Sequence, residues 1–214
     1  MVVRSRIKRD AFRERLVVRI RLLLRNKNKG MITEFKDNGC ITTMTKKSIS
    51  ILTPKFEQID IVDIAAGLSN QPHFGGQYDP KYFFSIAEHC LMVCHLVPQQ
   101  YKLAALLHDA SEAYLGDMKK PIKNLIPEFK KIEDNMQTVI LERFGVNPDD
   151  MKEIKGMDIQ VQLLEYNFFY YGIGSLGCMA AENAMEMYMK EFKTQFRKHR
   201  AYIKYKDAEN IRTK

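Results

Sequence analysis

A chain of 214 residues is long enough for one domain with a substantial core and too short for two large ones. With 45% apolar and 28% charged residues it has the composition of a soluble globular protein, and no apolar run approaches the roughly 18 residues of a membrane span. The net charge of +8 is uneven, because residues 1–47 hold fourteen Lys/Arg against four Asp/Glu and the remainder is close to neutral.

The four cysteines, Cys40, Cys90, Cys94 and Cys178, show no disulfide-framework spacing. Reduced thiols in a cytoplasmic compartment are the expectation.

The basic segment opens the chain. Arg4, Arg6, Lys8, Arg9, Arg13, Arg15, Arg19, Arg21, Arg25 and Lys27 are interleaved with Val, Ile, Leu and Phe, and a helix is expected over Phe12–Leu24. A nucleic-acid or acidic-membrane arm, a transit-like presequence and a partner-docking helix compete as readings, beside an accessory or mis-assigned leader with later starts at Met31 or Met44. Scarce serine weakens the presequence. Residues 1–47 are therefore set apart as a basic extension, 48–198 as the folded domain and 199–214 as a charged tail.

Gly30–Lys47 carries Asn-Gly turn chemistry and reads as a small hairpin or an irregular linker, followed by a short extended piece at Ser48–Pro54. Asp60–Leu68 reads as a helix capped by Asp60, with Ile61, Ile64, Ala65 and Leu68 on one face. The loop His73-Phe74-Gly75-Gly76 follows, its glycines suited to close approach of backbone to a ligand. Ser85 is a candidate N-cap with Glu88 as its capping-box partner, and the helix they open carries His89 and ends before Pro98.

Next, Leu103, Leu106, Leu107, Ala110, Ala113 and Tyr114 recur at helical spacing, predicting one amphipathic helix from Tyr101 to Leu115. It would place His108, Asp109 and Glu112 beside its apolar face, His108 and Glu112 sharing a side at i, i+4. Gly116 suits a left-handed terminus, and Pro121 is expected to keep the helix from resuming. Pro127–Phe144 reads as a further helix closed by Gly145. A third ligand-bearing helix spans Lys155–Glu165 and runs to about Tyr171, with Asp158 near its start, and a last one runs from Met179 to about Lys198. No several-stranded alternation is present, so the body is expected to be all-α.

Two patterns are decoys. Gly172-Ile173-Gly174-Ser175-Leu176-Gly177 matches a dinucleotide-binding word, but only one short extended candidate (Ala201–Tyr205) follows, so it reads as a helix–helix turn. His89, Cys90, Cys94 and His95 sit within two turns of one helix and cannot all face one tetrahedral ion. Cys90, Cys94, Met179, Met185, Met187 and Met189 are read as packing residues.

An imidazole beside a carboxylate is a good donor pair for a divalent cation, and burying such groups costs several kcal/mol unless they are paired or bind metal. Three helices presenting His89, His108-Asp109 and Asp158 could close one site. That ordered set resembles the HD-domain metal-dependent phosphohydrolases, a helical-bundle fold. The words Phe83-Phe84-Ser85-Ile86-Ala87-Glu88-His89 and His108-Asp109-Ala110-Ser111-Glu112-Ala113-Tyr114-Leu115-Gly116-Asp117 resemble the bacterial 5'-deoxynucleotidases and, more closely, the phage-type dATP triphosphohydrolases of that fold.

The resemblance covers about residues 51–196 and implies a site. His89, His108, Asp109 and Asp158 would hold one divalent ion (Co, Mn, Zn or Mg), with Glu112 orienting or deprotonating water and Asp117 assisting attack or proton transfer. Lys119, Lys120 and Lys123 would neutralise phosphate, Pro121 would wall the base pocket, and His73, Phe74, Gly75 and Gly76 would line the opposite side. His73 stands where the family commonly has arginine, exchanging a permanent phosphate clamp for a titratable donor.

The implied reaction is hydrolysis of a deoxynucleotide's 5'-phosphate ester. The wording of residues 83–117 leans to a dATP-like triphosphate, releasing nucleoside and triphosphate, while His73 leans to a monophosphate. A non-catalytic scaffold with a nucleic-acid-binding arm and a cyclic-nucleotide or alarmone hydrolase are the alternatives. The resemblance also implies a homo-oligomer.

Overall fold

A computed structural model describes residues 39–212, with side chains to Arg200; of the first 38 residues it describes Arg15 and Val18. The helix expected over Phe12–Leu24 and the competing roles of the basic arm fall outside the described residues.

The described chain opens with an antiparallel hairpin, β1 (Cys40–Thr42) and β2 (Ser48–Ser50), in register Cys40↔Ser50, Ile41↔Ile49 and Thr42↔Ser48. Its turn lies at Thr43–Lys47, with Lys46 at φ 64° and Thr43 N–H bonded to Lys47 O at 2.9 Å. The hairpin is fastened to the body by its own polar groups. Asp63 accepts from Thr45 N and Oγ1 at 2.8 and 2.7 Å, Lys47 meets Asp60 at 2.8 Å, and Ile49 is fully buried.

The rest is helical: α1 (Ile61–Asn70), α2 (Ile86–Leu96), α3 (Lys102–Leu107), α4 (Glu112–Leu115), α5 (Lys120–Lys123), α6 (Pro127–Phe144), α7 (Asp150–Tyr171) and α8 (Ala181–Arg212). This is the all-α body that the patterning predicts. Asp60 caps α1 by accepting from Val62 N at 2.9 Å, and Ser85 and Glu88 form the expected capping box on α2. Gly145 closes α6 and Gly172 closes α7, both in the left-handed region. The Gly172–Gly177 word is therefore a turn between helices.

Several elements differ from expectation. The single helix predicted over 101–115 is two, α3 and α4, separated at His108–Ser111. Pro121 does not bar a helix but sits in the first turn of α5, where its missing N–H costs nothing. The stretch after Lys198, expected as a tail with an extended piece at Ala201–Tyr205, continues α8 to Arg212. Residues 199–212 contain neither Gly nor Pro, so nothing local ends the helix.

The core gathers Ile64 and Leu68 of α1, Ile86 and Val93 of α2, Leu106 and Leu107 of α3, Met136 and Ile140 of α6, Ile154 and Val161 of α7, and Tyr188 of α8. Each such side chain contributes roughly 1.5–3 kcal/mol on burial. Cys90 and Cys94 join them, as do Met179, Met185 and Met189 at the margin, whereas Met187 faces solvent. Gly67 lets α1 and α4 touch, since a Cβ there would lie 2.6 Å from Ala113 O. No helix among the described residues is long and apolar enough to cross a membrane.

Candidate metal centre

His89 lies in the second turn of α2, a helix whose residues from Ile86 to Leu91 are all buried. Its ring has no exposure. Nδ1 is 2.9 Å from Glu165 Oε1, which turns Nε2 towards His108 Nε2 at 3.2 Å and Asp158 Oδ1 at 3.2 Å. His108 is fixed in the same way, with Nδ1 2.7 Å from Ala105 O. Its Nε2 lies 3.1 Å from Asp109 Oδ2 and 3.6 Å from Asp158 Oδ1. Asp109 Oδ2 is also 3.7 Å from His89 Nε2. Both imidazole Nε2 atoms thus meet Asp158, and Asp109 closes on the pair from beside His108.

The donor chemistry fits a cation. With each Nδ1 hydrogen given to an oxygen, both Nε2 atoms present lone pairs to one another and to two carboxylates, an arrangement that repels itself unless positive charge sits among them. His89, His108 and Asp158 could hold a metal ion. Without an ion the charge comes from protons. Burial pushes His89 down, but bonds to Asp158 and Glu165 outweigh it and raise it to about 9. His108 also rises well above its ordinary value against burial, chiefly through Asp109. Burial opposes ionisation of Asp109 and Asp158, yet His108 beside each holds both well below the usual carboxylate range. Asp109 is the more open of the four, its side chain 23% exposed, and marks the entrance.

The break between α3 and α4 makes this geometry. In a continuous helix Leu107 C=O would accept from Ser111 N–H. Instead the Gln137 carboxamide, from α6, enters the ladder: its Nε2 donates to Leu107 O at 2.6 Å and its Oε1 accepts from Ser111 N at 3.0 Å. Both backbone groups stay satisfied while His108 and Asp109 occupy the opened turn.

Sequence reading missed Gln137, Glu165, Lys155 and Gln162. Lys155 Nζ lies 2.6 Å from Asp158 Oδ2, and Gln162 Nε2 donates to Asp158 Oδ1 at 2.8 Å. Asp158 stands two turns inside α7 rather than near its start. The signal for Glu165 was present: Asp158, Val161, Glu165 and Phe169 share the buried face of α7, and a glutamate there is conspicuous.

The remaining expected residues are distributed unevenly. Glu112 opens α4 instead of sharing a helix face with His108. It is buried, Oε2 has no partner, and burial together with the charges of Asp109 and Asp117 raises its pKa well above the ordinary value. Asp117 accepts from Gly75 N at 3.2 Å, joining its loop to the turn His73–Gly76. Phe74 in that turn holds φ 54°, an uncommon conformation for a non-glycine residue. Lys119 borders the turn, its Cε 3.0 Å from where a Cβ on Gly75 would lie. Gly76 lies against Pro72, and Pro121 is exposed on α5.

Two side chains are not where the resemblance puts them. His73 is buried, its ring stacked between Phe74 at 4.2 Å and His89 at 4.4 Å, with Nδ1 2.9 Å from Glu165 Oε2 but out of line for a hydrogen bond. A buried carboxylate recruits it, so it is a prop of the cluster rather than an open loop donor. Lys123 is engaged by Glu133 at 2.6 Å and approaches Glu112 at 4.0 Å. Cys90 lies near His108 and Asp109, but burial pushes its thiol up to about 11, which keeps it protonated.

No family model matches the chain. It is similar to the uncharacterised protein YfdR of Escherichia coli, 39% identical over 107 residues that cover 49% of this chain and 59% of that protein. It is similar also to an uncharacterised protein of Rhodobacter capsulatus, 35% identical over 111 residues, 48% of this chain and 57% of the relative. The chain thus spans less than two thirds of either curated relative.

Proposed function

We propose that the chain is a metal-dependent phosphohydrolase of the HD-domain type that cleaves the 5'-phosphate ester of a deoxynucleotide. The observation that carries the reading is the convergence of His89, His108, Asp109 and Asp158 with both Nδ1 atoms committed elsewhere. These four residues would hold a divalent ion, Co, Mn, Zn or Mg. When bound, the ion supplies a Lewis acid that polarises a phosphoryl oxygen and acidifies water near neutral pH. Glu112, buried beside Asp109, is suited to take a proton from the attacking water. Asp117 holds the turn that carries Phe74 and Gly75, which shapes the substrate's side of the site. Lys119, exposed beside Gly75, is a cation available to phosphate.

The sequence resemblance leans to a dATP-like triphosphate. The commitment of His73 to Glu165 and of Lys123 to Glu133 takes two expected phosphate contacts away and favours a deoxynucleoside monophosphate as the second reading. A phosphate-release screen over deoxynucleotides with Mg, Mn, Co and Zn, with and without added phosphatase, separates the two. Phosphate detected directly identifies the monophosphatase, and phosphate detected only after phosphatase treatment identifies triphosphate release. Asp109→Ala is expected to abolish both ion retention and turnover. No turnover with any of these metals on any nucleotide would reduce the fold to a non-catalytic scaffold.

A further inference from the structure

Asp158 is gripped on both oxygens by side chains of its own helix. Lys155, one turn before it on α7, brings Nζ to Oδ2 at 2.6 Å, and Gln162, one turn after, donates Nε2 to Oδ1 at 2.8 Å. Spacings of three and four residues put the three side chains on one face of the helix. The two carboxylate oxygens are therefore not equivalent. Oδ1 is the atom that meets the imidazoles, 3.2 Å from His89 Nε2 and 3.6 Å from His108 Nε2. Oδ2 carries the ammonium group.

Folding stability does not account for this lysine. Its side chain is 65% exposed, against 4% for Asp158, and an exposed ammonium on a flexible stem adds little to stability. Asp158 also has His89, His108 and Gln162 beside it, partners enough for a buried carboxylate. What Lys155 adds is direction. A carboxylate meets a cation through one oxygen or chelates it with both. With the ammonium on Oδ2, an ion among the imidazoles draws on Oδ1, because chelation would pull one positive charge onto another. A second contact from Asp158 would fill a position that an open metal site keeps for water or substrate.

We propose that Lys155 is a positioning residue, which confines Asp158 to one oxygen and so keeps a coordination position of the ion open for a phosphate oxygen. This role rests on the reading of His89, His108, Asp109 and Asp158 as ion ligands, and it is independent of which nucleotide is hydrolysed.

Cobalt(II) in the full chain tests it, because its visible bands respond to the number of ligand atoms. The wild type should take up one cobalt ion and show a band that shifts when inorganic phosphate is added. A wild type that binds no cobalt overturns the ligand reading itself, and the inference with it. Lys155→Met should keep the helical circular dichroism and the cobalt of the parent. Its band should already differ before phosphate is added, weakened as a further oxygen joins the ion, and phosphate should bind roughly tenfold or more weakly. Lys155→Arg, which returns a cationic donor to Oδ2, should restore both the band and the phosphate affinity.

A Lys155→Met protein with the parent's band overturns the inference alone. If phosphate binding still weakens in that protein, the lysine touches phosphate directly instead of steering Asp158. Loss of cobalt from Lys155→Met, or failure of Lys155→Arg to restore the band, overturns it as well.

Discussion

Glu165 divides its two oxygens between two imidazoles, Oε1 on His89 Nδ1 and Oε2 beside His73 Nδ1, each at 2.9 Å. Fully buried, it keeps its charge against desolvation because these rings lower its pKa. Its bond to His89 selects the tautomer that leaves Nε2 free for an ion. Glu165→Gln removes the charge and lets the amide present either an acceptor or a donor. Ion affinity measured by chelator competition is expected to fall ~10–100-fold. Unchanged affinity would mean that packing against His73 and His108 is enough to orient the His89 ring.

At the scale of elements, the decisive feature is a helix that fails to continue. Leu103 to Leu115 has the periodicity of one helix, and on local propensity it would be one. Gln137 reaches it from α6 and separates Leu107 C=O from Ser111 N–H, so His108 and Asp109 sit at a helix end rather than along a helix side. Gln137→Leu leaves Ser111 N–H unpartnered, while Leu107 O keeps its bond from Ala110 N at 3.2 Å, or lets the ladder close. Either result moves the His108–Asp109 turn. The expected cost is about 1–3 kcal/mol in urea unfolding, accompanied by weaker ion binding. A variant with the stability and ion affinity of the parent would show that the turn holds itself open.

At the scale of the molecule, the cluster ties ion binding to protonation and to folding. Without an ion, His89 is raised to about 9 from an ordinary value of 6.5. A raised pKa contributes stability that is present in full below the unfolded value and disappears as pH climbs through the folded one. The ion-free protein should therefore lose stability between about pH 7 and pH 9. An ion must displace these protons, so its affinity should increase over the same interval and its binding should release protons. Calorimetry in buffers of different ionisation enthalpy measures the release. Saturating ion should also raise the thermal midpoint, by the equivalent of about 2.7 kcal/mol at a hundredfold excess over the dissociation constant. Absence of proton release would remove the imidazoles from the ligand set.

Much of the fold was legible from local chemistry. Asp60, Ser85 with Glu88, Gly145 and Gly172 mark helix ends because caps act on the nearest turn, and the apolar spacing of 61–68, 86–97 and 127–144 dictates helices whatever surrounds them. The ligand-type residues were legible as well, since His and Asp beside an apolar face have a cost that local sequence cannot offset. What sequence left open was everything fixed by a side chain arriving from elsewhere. Gln137 breaking a helix 26 residues away, Glu165 drawing His73 inward, and Glu133 taking Lys123 are contacts between distant segments, and periodicity carries no record of them. The solvent-facing row Ile159, Leu163, Tyr166 and Tyr170 of α7 belongs to the same class. Its spacing is written in the chain, but only packing decided that the Asp158–Phe169 face turned inward and left this one in solvent, because a helix has one buried side and the acids at the cluster claimed it.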